Sequence, residues 1–330
     1  LNIEHRTSNI EHRTSNIEHR TSNIEHRTSN IFAMNHHFSP SWLPVVGVVA
    51  LWTPAMLAAS YVWGHGEYYD YGWFVPPAAV WLILRRWQQI ETPVVLLQTQ
   101  GVLVCCLLLL PWILVLRVLG YADPSWRLPT SLLGLTACVT SHGLIALTRG
   151  RRASVGFGWI TLLLVSALPW PTVLETGIVH HLTQWVVTAV AEIFQIMGKP
   201  VEVMGDRLRL HELTVEVTDG CSGVRSFQSF VMATWFFAEL QRLRVSRAVT
   251  LLACACGVAF VVNVARTYAL AQIRFEYGKE AFARAHDPLG LLAFVASGLF
   301  FYFLSGALST KLRRTVVRSV QSSSNRTRLR

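Results

Sequence analysis

Apolar positions in this chain come in long, nearly unbroken runs, not at the three-and-four spacing of a half-exposed helix. A membrane-crossing helix needs about 20 mostly apolar residues. On that basis the sequence predicts eight spans, at 43–63, 73–84, 94–119, 128–147, 155–170, 224–240, 248–270 and 289–308. The second is the shortest and carries Pro76-Pro77. Polar punctuation between the runs is asymmetric. Arg85-Arg86, then Arg149/Arg151/Arg152, then Arg242/Arg244/Arg247, then the C-terminal tail follow the second, fourth, sixth and eighth runs. Basic residues stay on the cytoplasmic side of a membrane, so every cluster agrees on one orientation, with both termini inside. The connections at 64–72, 121–127, 171–223 and 271–288 then face outward. The expected fold is an all-α polytopic membrane protein of about eight transmembrane helices, N-in and C-in.

The long outer connection could hide a ninth span at 173–197. It contains Glu175, His180, His181, Gln184, Glu192 and Gln195, and a charge at mid-membrane costs ~2.5–3.5 kcal/mol. An amphipathic helix in the outer interface accommodates these residues better. The next stretch alternates apolar and polar residues around Met204-Gly205-Asp206, which predicts a small β-hairpin before the sixth span.

Composition agrees with a membrane protein. Only 15% of the 330 residues are charged, and twelve are Trp, against ~25% charged in soluble domains. A net charge of +10 invites a nucleic-acid reading. The tail removes it, because Lys311, Arg313, Arg314, Arg318, Arg326, Arg328 and Arg330 carry much of the excess with no acid among them. Disorder throughout and a disulfide-rich secreted scaffold are excluded on the same grounds. Residues 1–33 are read separately: NIEHRTS repeats four times from Asn2 to Ser29. One apolar residue per heptad leaves no coiled-coil seam, so the repeat is expected to be a disordered leader ahead of an initiator at Met34. The transmembrane domain is expected over 34–310, with a basic cytoplasmic tail at 311–330.

Candidate chemistry gathers at the outward ends of the last three spans. Cys105, Cys106, Cys138, Cys254 and Cys256 lie inside apolar runs, where a thiol packs as a small hydrophobe. Cys221 lies instead in DGCSGVRS, outside the membrane and just ahead of span six, where the field of a helix N-terminus favours a thiolate. Arg266 sits near the outward end of span seven, and an arginine within a span is a functional-site hypothesis by default. His286, in AHDPLG, sits at the outer mouth of span eight. A thiol, a cation and an imidazole at one membrane face suit nucleophilic acyl transfer. No metal or cofactor is called for.

These residues reach a known family. CSGVRS with Cys221, NVAR with Asn263 and Arg266, and His286 followed by Gly290 resemble, in that order, the exosortase/archaeosortase family of membrane-embedded transpeptidases. YYDYGWFVPP (68–77) is similar to the family's early outer motif. The resemblance runs from about Trp42 to Leu308. It implies an inner-membrane cysteine protease or transpeptidase that cleaves C-terminal sorting signals of the PEP-CTERM type on exported proteins. Such signals combine a short motif, a membrane helix and a basic tail, and the acceptor would be water or an amine at the cell surface or on an exopolysaccharide. Carried onto this chain, Cys221 would be the nucleophile, His286 the general base and acid, and Arg266 the oxyanion stabiliser. Ser222, Gly223, Arg225 and Asn263 would support the site or contact substrate, with Arg225 tuning the thiol or touching substrate. The partners implied are the exported substrates and the lipid bilayer. The rival reading is a transporter or polysaccharide-export protein that holds an anionic ligand through Arg266 and His286. Against it stand the absence of an internal repeat within the membrane region and of a mid-membrane acid of the kind that couples protons. Metalloprotease and rhomboid-like readings lack HExxH and a GxSG-type elbow.

Overall fold

The computed structural model describes residues 42–66, 68–90, 99–210, 212–217 and 223–328, with side chains left undescribed at 99–107 and 310–328. The repeat at 1–33, Cys221 and Ser222 lie outside the described residues, and so do the side chains of Cys105 and Cys106.

The chain is mostly helical. Helix α1 (Leu43–His65) leads through a 3-10 turn (Asp70–Phe74) into α2 (Val75–Trp87), which takes Pro76 and Pro77 in its first turn. Proline is tolerated there because those amides have no intrahelical acceptor. Then follow α3 (Thr99–Ala122), α4 (Arg127–Arg149), α5 (Arg151–Gly156), α6 (Gly158–Ser166) and α7 (Thr172–Ile196). Strands β1 (Glu202–Met204), β2 (Arg207–Leu210) and β3 (Leu213–Glu216) pair antiparallel in the order β1-β2-β3. Helix α8 (Val224–Leu240) and the long α9 (Val245–Arg328) complete the chain.

Among the described residues three helices are long and apolar enough to cross a membrane: Leu43–His65, Arg127–Arg149 and Val245–Ser309. The last is interrupted at Gly278, whose φ of 83° and ψ of −173° are not helical. Three features differ from expectation. The connection at 271–288 is helical on both sides of Gly278, so the outer turn is a single break and not a loop. The run at 155–170 is divided at Phe157 between α5 and α6. The hairpin is a three-stranded meander, because Leu213–Glu216 folds back along β2 with Leu208 opposite Val215.

The helices pack in three bodies of buried side chains, one of which joins α8 to α9 through Phe230, Ala238, Leu251 and Phe301. Another joins α1, α2, α4 and α6 through Trp52, Trp63, Trp87, Ala137 and Leu163. The third joins α7, the sheet and α9 through Val187, Phe194, Leu208, Val215 and Ala271. Indole N–H groups in such a core need acceptors. Trp63 Nε1 donates to the Ala167 carbonyl at 2.8 Å, and Trp52 Nε1 to Ser141 at 3.3 Å.

Polar contacts sort to two ends of the bundle. At one, Arg86 pairs with Glu239 at 3.3 Å, Arg149 donates to the Ile90 carbonyl at 3.2 Å, and Arg247 to the Leu308 carbonyl at 3.2 Å. At the other, Arg127 pairs with Glu175, Asp70 faces Arg225, and Arg266 meets His286. Helix α8 spans the two, and its 17 residues at 1.5 Å per residue measure about 25 Å.

Candidate active site

Two close approaches build the site, and a glycine stands at each. Gly223, the residue before α8, has φ of 83°, a left-handed conformation that is inexpensive only without a Cβ. A Cβ there would also stand 3.1 Å from the Asn263 side chain. Helix α9 therefore lies against the start of α8 at Asn263, which is 6% exposed. Arg266 follows three residues later, close to one turn along the same helix. The second glycine, Gly290, admits the Arg266 guanidinium, since a Cβ would lie 3.3 Å from Nη2.

The break at Gly278 turns the chain back on itself and so returns His286 to Arg266. Arg266 Nη2 lies 3.2 Å from His286 Nε2, and His286 Nδ1 lies 2.9 Å from Asp287 Oδ1. A guanidinium can only donate, and an ionised carboxylate can only accept. The ring consistent with both contacts is neutral, with its proton on Nδ1 directed at Asp287 and its Nε2 lone pair directed at Arg266. That tautomer presents a basic nitrogen to the site. Among the described residues Arg266 makes no ion pair, and its Nε is buried without a hydrogen-bond partner. A half-buried cation with unfilled donors suits an anionic or carbonyl oxygen.

Other contacts frame this end. Arg225 Nη2 approaches Asp70 Oδ2 at 3.9 Å, with both side chains mostly exposed, which brings the 68–77 segment to the start of α8. The Trp170 ring packs edge-on against Phe227 at 6.2 Å. Behind it, Tyr69 donates to Glu175, Glu175 pairs with Arg127 at 2.6 Å, and Arg127 donates to the Trp170 carbonyl at 3.0 Å. Burial and the bond to Glu175 push the Tyr69 phenol well above its ordinary pKa, which keeps it a neutral donor.

Of the residues expected from the sequence, the fold brings Gly223 to Asn263 and His286 to Arg266, two approaches three residues apart on α9. Arg225 lies at the same end, aimed at Asp70. Cys221 and Ser222 lie outside the described residues; Cys221 precedes Gly223 by two positions. Cys138, Cys254 and Cys256 are free thiols on helices α4 and α9, away from this contact set. Sequence reasoning missed Asp287 as the partner of the imidazole, although an acid beside the histidine in AHDPLG was visible. It also read Glu175 as an interfacial polar residue. Glu175 is 8% exposed and serves as counter-ion to Arg127.

The family of transmembrane exosortases matches residues 63–303, a range that includes Gly223, Asn263, Arg266, His286 and Asp287. No curated protein and no solved structure matches the chain.

Proposed function

Since the chain belongs to the transmembrane exosortase family, we propose that it is a membrane-embedded cysteine transpeptidase acting on the C-terminal sorting signals of exported proteins. The observation that carries the reading is the contact of Arg266, which has no carboxylate partner among the described residues, with a His286 ring whose other nitrogen faces Asp287. In this reading the two-residue step from Cys221 to Gly223, packed on Asn263, brings the thiol to the same end.

The chemistry proceeds in two halves. The Cys221 thiol gives its proton to His286 Nε2, and Sγ attacks the scissile carbonyl to form a C–S bond. The oxyanion that develops takes hydrogen bonds from Arg266, which turns from the imidazole to the substrate, and from amides at the start of α8. Collapse breaks the C–N bond, His286 returns its proton to the leaving amine, and a thioester remains. Water or an amine then attacks that thioester, His286 takes the incoming proton, and the thiolate is released. Asp287 holds the ring in the productive tautomer. Arg225 is positioned to favour the thiolate or to meet substrate.

Eight spans with the Arg266 end outside the inner membrane suit this chemistry, because the substrates have already been exported. The transmembrane domain then covers 34–310, and the tail at 311–330 stays in the cytoplasm. The test is co-expression with an exported protein bearing a motif-helix-basic tail signal. Cys221→Ala should leave that protein unprocessed while the membrane protein accumulates normally. Processing at the wild-type rate would end the enzyme reading and favour an anion-binding transporter.

A further inference from the structure

The end of the bundle remote from Arg266 holds a second constellation, which the proposed chemistry does not use. A cavity of about 600 Å³ opens between the C-terminal ends of α2 and α4, helix α5 and the turn after α8, and it is lined by Arg86, Gln89, Arg149, Arg151, Arg152 and Arg242. Basic residues in cytoplasmic connections need no site to explain them, since they also set orientation. Here, however, segments far apart in sequence converge on one concavity. Arg86 reaches so near α5 that a Cβ on Gly156 would lie 2.5 Å from its Nη2. Arg149 is only 7% exposed, stacks at 4.5 Å over the Trp87 ring and donates to the Ile90 carbonyl. Arg242, with φ of 53°, is held by Gln89 and by Glu239 at 3.3 Å. Two of the five arginines thus share one carboxylate, Glu239, and among the described lining residues no acid stands beside the five arginines.

We propose that this pocket binds a phosphate group, presented either by the headgroup of an anionic phospholipid in the adjoining leaflet or by a soluble phosphate. Guanidinium groups match phosphate oxygens with paired N–H donors, and basic pockets between helix ends are the usual receptors for anionic headgroups. The surroundings favour the lipid. Leu147, next to Arg149, is 64% exposed and Val155, on α5, is 73% exposed, so apolar surface on which acyl chains can lie adjoins the arginines. Tethered this way, a lipid would bridge α2, α4, α5 and the α8–α9 turn without touching the Arg266 end.

Binding to the purified full chain would be measured by native mass spectrometry with short-chain phosphatidylglycerol, with phosphatidylcholine of equal chain length, and with inorganic phosphate. The diagnostic variant is Arg151→Gln with Arg152→Gln, both exposed and so removable without disturbing the fold; a melting curve would confirm this. The control neutralises Lys311, Arg313 and Arg314 in the tail. One phosphatidylglycerol per chain is expected, bound well above phosphatidylcholine. The double variant should weaken it roughly tenfold or more, at about 1 kcal/mol per arginine, and the tail variant should leave it unchanged. Inorganic phosphate binding with the same variant dependence, and no preference for phosphatidylglycerol, would assign the pocket to a soluble phosphate. Equal binding of both lipids with no effect of the double variant, or loss of binding in the tail variant alone, would overturn the site. None of these readouts depends on Cys221, so failure here leaves the transpeptidase proposal standing, and the reverse also holds.

Discussion

Two arginines at the same end of the bundle have opposite surroundings. Arg127 has every advantage a partly buried cation can be given: an ion pair to Glu175 at 2.6 Å, a bond to the Trp170 carbonyl at 3.0 Å, and the Tyr69 ring 6.0 Å away. Arg266 has one imidazole at 3.2 Å and a buried Nε with no partner among the described residues. Removing a charge from water is costly unless it is paired. Arg127 is compensated and therefore reads as structure. Arg266 is short of partners among the described residues, and it is the one whose donors suit a transient oxygen. The difference teaches that position in a span is a weaker sign of function than what the guanidinium has been denied.

The sharpest way to break that comparison is to exchange losses between the two sites. Arg266→Lys retains the charge but loses the planar fork. Removal of an oxyanion donor costs ~10²–10³ in turnover, so processing should fall by about that factor while the melting temperature stays unchanged. Glu175→Ala should behave in the opposite way. Breaking a buried pair from one side costs ~3–5 kcal/mol, so the variant should accumulate poorly in the membrane, yet process substrate at a near-normal rate per folded molecule. A stable Glu175→Ala protein without activity would reverse the roles assigned here.

Much of this site was legible in the sequence. An arginine in an apolar run and a histidine beyond the next turn are individually visible, and the agreement of four basic clusters predicts which runs share an end. What the sequence does not carry is pairing. Tyr69, Arg127 and Glu175 are separated by 58 and 48 positions (127 − 69 and 175 − 127), and nothing local signals that the three meet. Glu175 therefore looked like a solvated residue on an amphipathic face. The 271–288 segment misled for a related reason. Its polar residues, among them Gln272, Arg274, Glu276, Lys279 and Glu280, read as an outward-facing connection between spans. They are instead strong helix formers that extend α9 beyond its apolar stretch on both sides of Gly278.

Smaller effects refine the same contrast. Asp287→Asn keeps the size of the side chain but removes its charge, so the Nδ1–H tautomer loses its anionic partner. Turnover should drop by about tenfold or more, within the range general acid–base groups supply. Its pH dependence should change too, which a purely structural residue would not cause. Asp70→Asn, at an exposed pair 3.9 Å apart, should shift stability by less than ~1 kcal/mol. Tyr69 adds a pH signature to the structural cluster. Its folded pKa is raised, so its stabilising contribution is fully present below the unfolded value of about 10. That contribution is lost as pH rises above it, because only the unfolded chain can ionise readily. Melting curves should show this alkaline loss in the wild type and a weaker one in Tyr69→Phe.

The central claim is that Cys221 forms the covalent intermediate at the Arg266–His286 end. Purified full chain, mixed with an exported protein carrying the sorting signal and quenched in acid, can be digested and weighed peptide by peptide. The expected result is a mass increment on the Cys221 peptide equal to the upstream substrate fragment, removed by hydroxylamine, strongly reduced when His286 is replaced by Ala, and absent from Cys138, Cys254 and Cys256. Cleavage that proceeds with no adduct on Cys221, or with the adduct on another cysteine, would contradict it.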